Sequence, residues 1–339
     1  MHIAICFNQA PPLLLKGELL DRISEEGAEK EACAVRDALH QLGHDASLVP
    51  LGADLLAFVK ELRTSSTEVV FNLCEGFWGD SRKEMHVAAL LDLLGVAHTG
   101  AAPFCLGLTQ DKVLTKDILR THGLPTPGYV LVRQGGLFSP GTRDLAYPLI
   151  VKPRFEDASL GITGDSIVDD EQSLPRRIAY VHDTYHQDAL VEEFIGGREL
   201  NAAVVGNAPM VALPLSEIVF KAGLTNAIVS YEGKWLENSP EYSQTQPVCP
   251  ALLAAGETLL VQDAALHACK LLDCRDYARV DIRLRAGVPY ILEINANPDL
   301  SPDAGLARSA AAAGISYPKL IERLLSLALK RRVFARAAP

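Results

Sequence analysis

Short apolar runs and helical stripes alternate through the first hundred residues. The pattern predicts strands at 3–7, 47–49 and 69–71, and a helix at 28–42 whose apolar positions recur every three or four residues. Strands that alternate with helices are typical of a parallel sheet with crossover helices. The N-terminal third is therefore expected to be an α/β unit.

The pattern changes at Thr109, where a threonine start signal precedes a predicted helix and a break rich in glycine and proline follows. Strands are predicted at 147–152 and 190–195, and a hairpin is predicted to join 199–205 to 210–213. The C-terminal half thus has α+β character within a chain of the α/β class. Three units are expected: 1–108, 109–194 and 195–339.

Strict alternation of apolar and polar residues is clearest near the C-terminus. It predicts strands at 278–284 and 290–295, and the short link between them suits a hairpin. We expect a three-residue loop at 286–288, which fixes the register of the two strands.

That register brings two carboxylates face to face. Asp281 would lie opposite Glu293, and Arg279 opposite Asn295, with Cβ atoms about 5 Å apart. Facing carboxylates repel unless a cation or a proton joins them, and the Asn295 amide completes a hard, oxygen-rich set that suits Mg²⁺ with open positions. The alternative is a pair of solvated charges, Asp281 and Glu293, matched with Arg279 and Arg283.

Composition excludes several classes of protein. The chain has 339 residues, 48% hydrophobic and 22% charged, which fits a globular protein of two or three subdomains. A net charge of -10 argues against a nucleic-acid partner. Seven cysteines without CxxC spacing suit reduced thiols. Neither a signal peptide nor a run of about 18 apolar residues is recognised, so we expect a cytoplasmic protein without a membrane partner.

Lys152 ends an apolar strand just before a loop of small residues. In isolation such a lysine is more often solvated. However, Ala158, Ser159 and Gly161 allow the backbone to approach a phosphate closely, and the lysine supplies a compact positive charge. The sequence has no Gly-Lys-Ser or Gly-Lys-Thr triplet and no GxGxxG, so neither common nucleotide motif applies.

A second group of candidates follows the strand at 190–195. Glu192, Glu193 and Glu199 suit an adenine amino group or ribose hydroxyls. Phe194 and Ile195 fit a flat purine pocket and fit a hydrophobic core equally well.

These motifs, in this order, resemble the ATP-grasp fold and, within it, the D-alanine-D-alanine ligase family. The resemblance is collinear over nearly the whole chain and implies a parallel-sheet N-terminal domain, followed by central and C-terminal domains that sandwich ATP. It is carried by the segments 109–116, 147–153, 191–199, 278–281 with 292–298, and 313–322.

The resemblance implies a role for each candidate. Lys112 and Lys152 would contact ATP phosphates beside Ser159, with Glu192 at the adenine and Glu199 at the ribose. The remaining nucleotide contacts would come from Glu193, Phe194, Ile195, Lys234 and Trp235.

The same resemblance implies a metal centre and a closing loop. Asp281, Glu293 and Asn295 would hold two Mg²⁺ ions, for which Mn²⁺ can substitute, and Arg279 would stabilise the oxyanion formed when an amine attacks. Residues 230–235 resemble the mobile loop that closes over the phosphates. The catalytic side chains would be Arg279, Lys234 and Lys152.

The sequence departs from the family pattern mainly where substrates bind. Glu75 stands in place of a histidine, and Asp299 in place of a glycine. Asp157 and Ala158 replace a glycine and a serine of the phosphate-binding loop. Glu26 falls near the family's glutamate for the first substrate's amino group. Asp299 either recognises a second amine or faces solvent.

The implied activity is an ATP- and Mg²⁺-dependent ligase that joins a carboxylate to an amine through an acyl phosphate. The expected product links an amino acid to an amino-acid or small-molecule carboxylate. The alternatives are a D-alanine-D-alanine ligase of cell-wall synthesis, a nucleotide-binding regulator without turnover, and a kinase acting on a hydroxyl. The resemblance also implies a homodimer formed through the N-terminal domain.

Overall fold

The computed structural model describes most of the chain as three β-sheets with flanking helices. The described residues are 1–10, 16–18, 22–136, 144–221, 227–236 and 238–337, with side chains described in these ranges except at 22–26 and 332–337. The three sheets follow one another along the chain.

The first sheet and its helices come from the N-terminal third: β1 (His2–Asn8), α1 (Arg22–Gln41), β2 (Asp45–Leu51), α2 (Leu55–Thr64), β3 (Val69–Leu73), α3 (Glu84–Leu93), β4 (Ala97–His98) and α4 (Pro103–Gln110). The strands are parallel, in the order β2-β1-β3-β4. Because α1 packs on one face of the sheet and α2 and α3 on the other, β1 is apolar on both sides. The predicted parallel α/β unit is confirmed.

The second sheet is antiparallel and is formed by the middle of the chain: α5 (Lys112–Thr121), β5 (Tyr129–Val132), β6 (Leu149–Pro153), β7 (Ile167–Val168), α6 (Leu174–Tyr185) and β8 (Ala189–Glu193). Its order is β5-β8-β6-β7. Ile178 and Val181 of α6 pack against Val151 and Val191, which gives this sheet its own core.

The predicted helix start at Thr109 is wrong. Thr109 lies in the last turn of α4, where its hydroxyl donates to the Cys105 carbonyl oxygen at 3.0 Å. The cap of α5 is Asp111, whose carboxylate accepts from the amides of Val113 and Leu114. Lys112 therefore occupies the first position of α5.

The third sheet comes from the rest of the chain: β9 (Arg198–Val205), β10 (Val211–Ala212), β11 (Ser216–Phe220), α7 (Tyr231–Trp235), β12 (Thr245–Val248), α8 (Ala255–Leu271), β13 (Tyr277–Arg285), β14 (Val288–Asn295), α9 (Gly305–Ala312) and α10 (Tyr317–Ala337). It is antiparallel, in the order β12-β11-β9-β13-β14, with β10 paired to β9. Helix α10 packs back against the first sheet through Leu320 and Leu324. Within the described ranges, no helix has the length and apolarity needed to cross a membrane.

The hairpin of β13 and β14 has the predicted partners but not the predicted loop. Its turn has two residues, Ala286 and Gly287, whose φ angles are 50° and 76°. That turn alone would shift the pairing by one residue. A bulge at Leu292 compensates, and Asp281 again faces Glu293.

Candidate active site

Two cavities share lining residues; the larger lies between the second and third sheets, and the smaller also reaches the first sheet. The larger cavity, ≈ 750 Å³, is within the usual size of a small-molecule site. Its lining includes most of the sequence-predicted residues: Lys112, Lys152, Ser159, Glu192, Glu193, Phe194, Ile195, Glu199, Lys234, Trp235, Arg279, Asp281, Glu293 and Asp299.

The smaller cavity, ≈ 180 Å³, shares Lys234, Arg279 and Asp299 with the larger one. Glu75 and Asn295 line only the smaller cavity. The side chain of Glu26 lies outside the described residues, so the predicted role of that residue stays a prediction.

Asp281 is held by three neighbours on the sheet. Arg279 donates to both of its oxygens, at 2.8 and 2.9 Å, and Asn295 donates at 3.2 Å. Asn201, directly across on β9, donates at 2.7 Å. Asn201 was not predicted from the sequence, although it shares a strand face with Glu199 and would have followed from pairing β9 with β13.

Glu293 is ionised because cations surround it. Burial alone would raise its pKa, but Lys112, Lys152 and Arg279 outweigh burial and lower the pKa of Glu293 to about 2. The ammonium nitrogen of Lys112 lies 3.7 Å from a carboxylate oxygen of Glu293. Glu293 thus carries a negative charge on the wall of the larger cavity at neutral pH.

The donor set on this wall fits a hard divalent ion. Two facing carboxylates and one amide supply oxygen ligands. In the part of the chain that the structure describes, no group of three or more His, Cys, Asp or Glu side chains is placed to hold a metal ion. A metal bound by this set would therefore need further ligands from water or from phosphate oxygens.

Glu192 lies between two lysines. Its oxygens are each 2.9 Å from a lysine nitrogen, one from Lys116 and the other from Lys152, and Glu192 is 1% exposed. Lys116 also donates to the hydroxyl of Thr126 and to the carbonyl oxygen of Leu292, both at 3.0 Å. The bulge residue is thus tied to the second sheet through Lys116, which the sequence analysis missed.

Lys112 is buried at the start of α5 and reaches the loop after β6. Its ammonium donates to the Glu156 carbonyl oxygen at 2.5 Å and to Asp157 at 3.0 Å. Burial would lower the pKa of Lys112, but Asp157 and Glu293 raise it, so the side chain stays charged.

The loop at 155–162, here called the phosphate loop, has a left-handed backbone at Ala158 and Ser159, with φ angles of 53° and 62°. The Leu160 amide donates to the Asp157 carbonyl oxygen at 2.9 Å, so residues 157–160 form a tight turn around these two positions. The indole of Trp235 donates to the Ala158 carbonyl oxygen at 3.0 Å, and Ser159 donates to the Val229 carbonyl oxygen at 3.1 Å. The predicted closing loop therefore lies against the phosphate loop.

The alternative reading of solvated charges is only partly right. Arg279 does pair with Asp281, as that reading required. Arg283, however, pairs with Glu199 on β9 and lies over the ring of Phe194, 5.3 Å from its centroid. Arg283 thus belongs to the end of the larger cavity that also holds Glu199.

Comparison with known proteins places the chain in a family. Residues 118–326 match the family model described as the D-ala D-ala ligase C-terminus. An uncharacterized protein of Sinorhizobium fredii is 38% identical, over 88% of each chain. A D-alanine-D-alanine ligase of Syntrophotalea carbinolica is 33% identical over 88% of this chain and 90% of its own length. One of Polaromonas naphthalenivorans is 35% identical over 87% of each.

The solved structure of D-alanine-D-alanine ligase from Bacillus anthracis complexed with ATP covers 99% of each chain, with a TM-score of 0.79 and 22% identity. This likeness confirms the ATP-grasp fold. Together with the family model and the relatives above 30% identity, it supports one assignment. The chain belongs to the D-alanine-D-alanine ligase family of ATP-dependent carboxylate-amine ligases.

Proposed function

We propose that the protein uses ATP to phosphorylate a carboxylate and then joins the acyl group to an amine, forming an amide or peptide bond. The observation that carries the proposal is the wall of the larger cavity, where Lys112 and Lys152 lie beside the facing carboxylates Asp281 and Glu293. Cationic groups for phosphates and oxygen ligands for a divalent ion are the two requirements of phosphoryl transfer.

The chain's own residues would act mainly by position and charge. Lys112 and Lys152 each pair with a carboxylate, so phosphate oxygens would take over these lysine contacts on binding. Arg279 and Lys234 line both cavities and would hold the developing oxyanion between them. Helix α7, held on the phosphate loop by Trp235, would exclude water from the reacting acyl group.

Asp281, Glu293 and Asn295 would hold two Mg²⁺ ions, and Mn²⁺ would substitute for them. A divalent ion in this place supplies positive charge that stabilises the transferred phosphoryl group. Ionisation of Glu293 at neutral pH supports this role. Glu192 and Glu199 line the other part of the same cavity, where we place the nucleoside.

The substrates are proposed to be an amino acid and an amino-acid or small-molecule carboxylate. Glu75 and Asp299 line the smaller cavity, and their charges favour a substrate other than plain D-alanine. The candidate favoured by the relatives' names is D-alanyl-D-alanine synthesis, since two of them are called D-alanine-D-alanine ligases. We further propose a cytoplasmic homodimer formed by the first sheet's helices, where Leu93 and Phe104 are 86% and 72% exposed.

A coupled assay of the full-length protein tests the reaction. With ATP and Mg²⁺, pairs of carboxylates and amines are screened for phosphate release, and products are identified by mass spectrometry. Asp281→Asn and Glu293→Gln should lower turnover at least about 100-fold, because each removes a charge at the phosphoryl group. Asp263→Asn, on the exposed side of α8, is the matched control.

Three outcomes would contradict the proposal. Full activity in Asp281→Asn and Glu293→Gln would exclude the assigned metal site. ATP binding without ADP release across the whole panel would indicate a regulator. A phosphorylated hydroxyl compound without free phosphate would indicate a kinase.

A further inference from the structure

The smaller cavity has an acidic end. Four carboxylates from four parts of the fold line it: Glu31 of α1, Glu75 after β3, Glu84 in the first turn of α3, and Asp299 after β14. Glu75 and Asp299 were predicted from the sequence, whereas Glu31 and Glu84 were not. Glu31 and Glu84 become neighbours only when α1 and α3 pack on opposite faces of the first sheet.

Other carboxylates of the same wall already have cationic partners. These pairs are Asp80 with Arg82 at 2.9 Å, Glu156 with Lys16, and Asp157 with Lys112 at 3.0 Å. Their charges are balanced within the protein, so they leave no demand for a cation from the substrate.

Glu31 and Glu84 differ from those pairs because, among the described residues, they accept hydrogen bonds from neutral groups. Glu31 Oε1 accepts from the Leu300 amide at 2.7 Å, and Glu84 is bonded by Asn297. Glu31 is 7% exposed, and among the described residues its Oε2 has no hydrogen-bond partner. Because the buried side chain of Glu31 lines the cavity, a donor from a ligand would satisfy this oxygen.

The carboxylates also act on one another. Burial raises the pKa of Glu31 well above its usual value, and the neighbouring charges of Asp299 and Glu75 add to the shift. Burial and Glu75 raise the pKa of Glu84 in the same way. A cation at this end would favour the ionised forms of Glu31 and Glu84.

The cations nearest to the substrate space lie at the other end of the cavity. Arg279 is engaged by Asp281, and Lys234 lies over the ring of Trp235, 5.0 Å from its centroid. A substrate carboxylate would be attracted to that end, whereas an ammonium at the acidic end would stabilise the ionised forms of Glu31 and Glu84. The charge gradient therefore orients a molecule with a carboxylate at one end and a positive group at the other.

We propose that Glu31, Glu75 and Glu84 bind a second ammonium group of the substrate, so that the preferred substrate is a diamino compound. This rests on the proposed function, because it assigns the substrate class of that same reaction. The cavity of ≈ 180 Å³ holds only a short chain. The shared chemistry is a primary ammonium a few carbons from the reacting group, supplied by a diamino acid or by a diamine.

The first test compares matched substrates on the full-length protein with ATP, Mg²⁺ and D-alanine as the common carboxylate co-substrate. Each amine-bearing compound is paired with an uncharged one of the same length, in both enantiomers where these exist. The pairs are 2,3-diaminopropionate with 2-aminobutyrate, 2,4-diaminobutyrate with norvaline, ornithine with norleucine, and 1,4-diaminobutane with pentylamine. We expect kcat/KM to favour the amine-bearing member about 10- to 100-fold, the range for a charged hydrogen bond left unmade.

The diamino-acid and diamine arms identify the source of the ammonium. If the uncharged members are turned over equally well, the inference fails while the proposed ligase reaction stands. If no matched compound releases phosphate while another pair of the broad screen does, the inference fails alone; if no pair of the broad screen does, the proposed function fails with it.

Variants test which residues cause the preference for the amine-bearing substrate. Glu31→Gln keeps an acceptor for the Leu300 amide and removes the charge, so it should cut the preference for the amine about tenfold and leave the KM for ATP unchanged. Glu75→Gln tests the same site from an exposed position that does not threaten folding. Glu29→Gln, exposed on the same helix as Glu31, is the control. An unchanged preference in both Glu31→Gln and Glu75→Gln would overturn the assignment.

Discussion

The indole N–H of Trp235 donates to the carbonyl oxygen of Ala158 over 3.0 Å, and this bond joins α7 to the phosphate loop. Ala158 has a left-handed backbone, with φ of 53°, so its carbonyl is directed by an uncommon conformation. The contact lies at the border of the two cavities, both of which Trp235 lines. The proposed closure of the site by α7 therefore depends on the hydrogen bond from the Trp235 side chain to the Ala158 backbone.

Trp235→Phe should loosen this closure. Phenylalanine keeps an aromatic ring beside Lys234 but has no N–H donor, and a neutral hydrogen bond contributes about 1 kcal/mol, or roughly fivefold. We expect the ratio of phosphate released to amide formed to rise about fivefold, because water would reach the activated acyl group. The measurement is the two products in one assay. Trp78→Phe, at an exposed position, should leave the ratio unchanged, and an unchanged ratio in Trp235→Phe would contradict the role in closure.

The Lys116 and Glu192 pair should show strong coupling. Both are buried, and removal of one partner leaves a charge without its full compensation, at a cost of about 3 kcal/mol. We expect Lys116→Met and Glu192→Gln each to lower the free energy of unfolding, and the double variant to lose less than their sum. Urea unfolding of the four proteins gives the coupling energy. Additive losses would show that the pair is not energetically linked.

The coupling energy between Lys116 and Glu192 should depend on pH. Burial lowers the pKa of Lys116 to about 8, although Glu192 opposes the shift. The coupling energy should therefore fall as pH rises through 8. Because the unfolded lysine titrates near 10.5, the unfolded state binds more protons between pH 8 and 10.5, and the group's net contribution to stability rises in that window. A coupling energy constant from pH 7 to 10 would contradict this.

The hairpin of β13 and β14 shows which structural features the alternation of apolar and polar residues can predict. Alternation along 278–295 correctly predicted that Asp281 faces Glu293. The predicted loop was one residue too long. A three-residue loop and a two-residue turn followed by a bulge give the same register at Asp281, and the alternation pattern cannot distinguish them. At the bulge, Lys116 donates to the carbonyl oxygen of Leu292 and Thr126 donates to that of Ile291, and both donors lie far from β14 in the sequence.

The site residues that the sequence analysis missed share one property. Asn201, Lys116, Glu31 and Glu84 act through partners far along the chain, at sequence separations that no local pattern records. Motif residues such as Lys152 and Glu293 were predicted because the residues next to them in the sequence indicate a strand end or a strand pair. The family resemblance predicted most residues of the larger cavity. The acidic end of the smaller cavity could be recognised only once the structure showed where α1 and α3 pack.

His98 should make the protein sensitive to mild acid. Burial lowers the pKa of His98 to about 4 from 6.5, and Arg275 adds to the shift. The unfolded state therefore binds more protons between pH 6.5 and 4, so stability falls as pH falls through this window, by about 3 kcal/mol in all. Denaturant unfolding at pH 7, 5.5 and 4 measures the slope.

His98→Gln should flatten that slope. Glutamine keeps an acceptor for Arg275, whose guanidinium lies 3.1 Å from His98 Nε2, but does not titrate. His86→Gln, exposed on α3, should keep the wild-type slope. Equal slopes for His98→Gln and the wild type would place the acid sensitivity elsewhere.

Asn201→Asp should make the stability of the protein depend on Mg²⁺ bound at the proposed metal site. Asn201 donates to Asp281 at 2.7 Å, so an aspartate there sets two carboxylates against each other. Without metal, we expect a loss of about 1–3 kcal/mol, the cost of replacing a hydrogen bond by repulsion. Mg²⁺ should restore most of the loss, because the added oxygen becomes a ligand and binding to the folded state raises its stability.

A matched pair remote from the site provides the control. Asn207 donates to Asp276 at 3.0 Å, near the turn that follows β9, and Asp276 lies outside the lining of both cavities. Asn207→Asp should also lower the melting temperature, for the same reason of repulsion. Mg²⁺ should not recover that loss, since no second carboxylate of the metal set is near. Equal recovery of the two variants by Mg²⁺ would show nonspecific ion screening and would remove the support for a metal at Asp281.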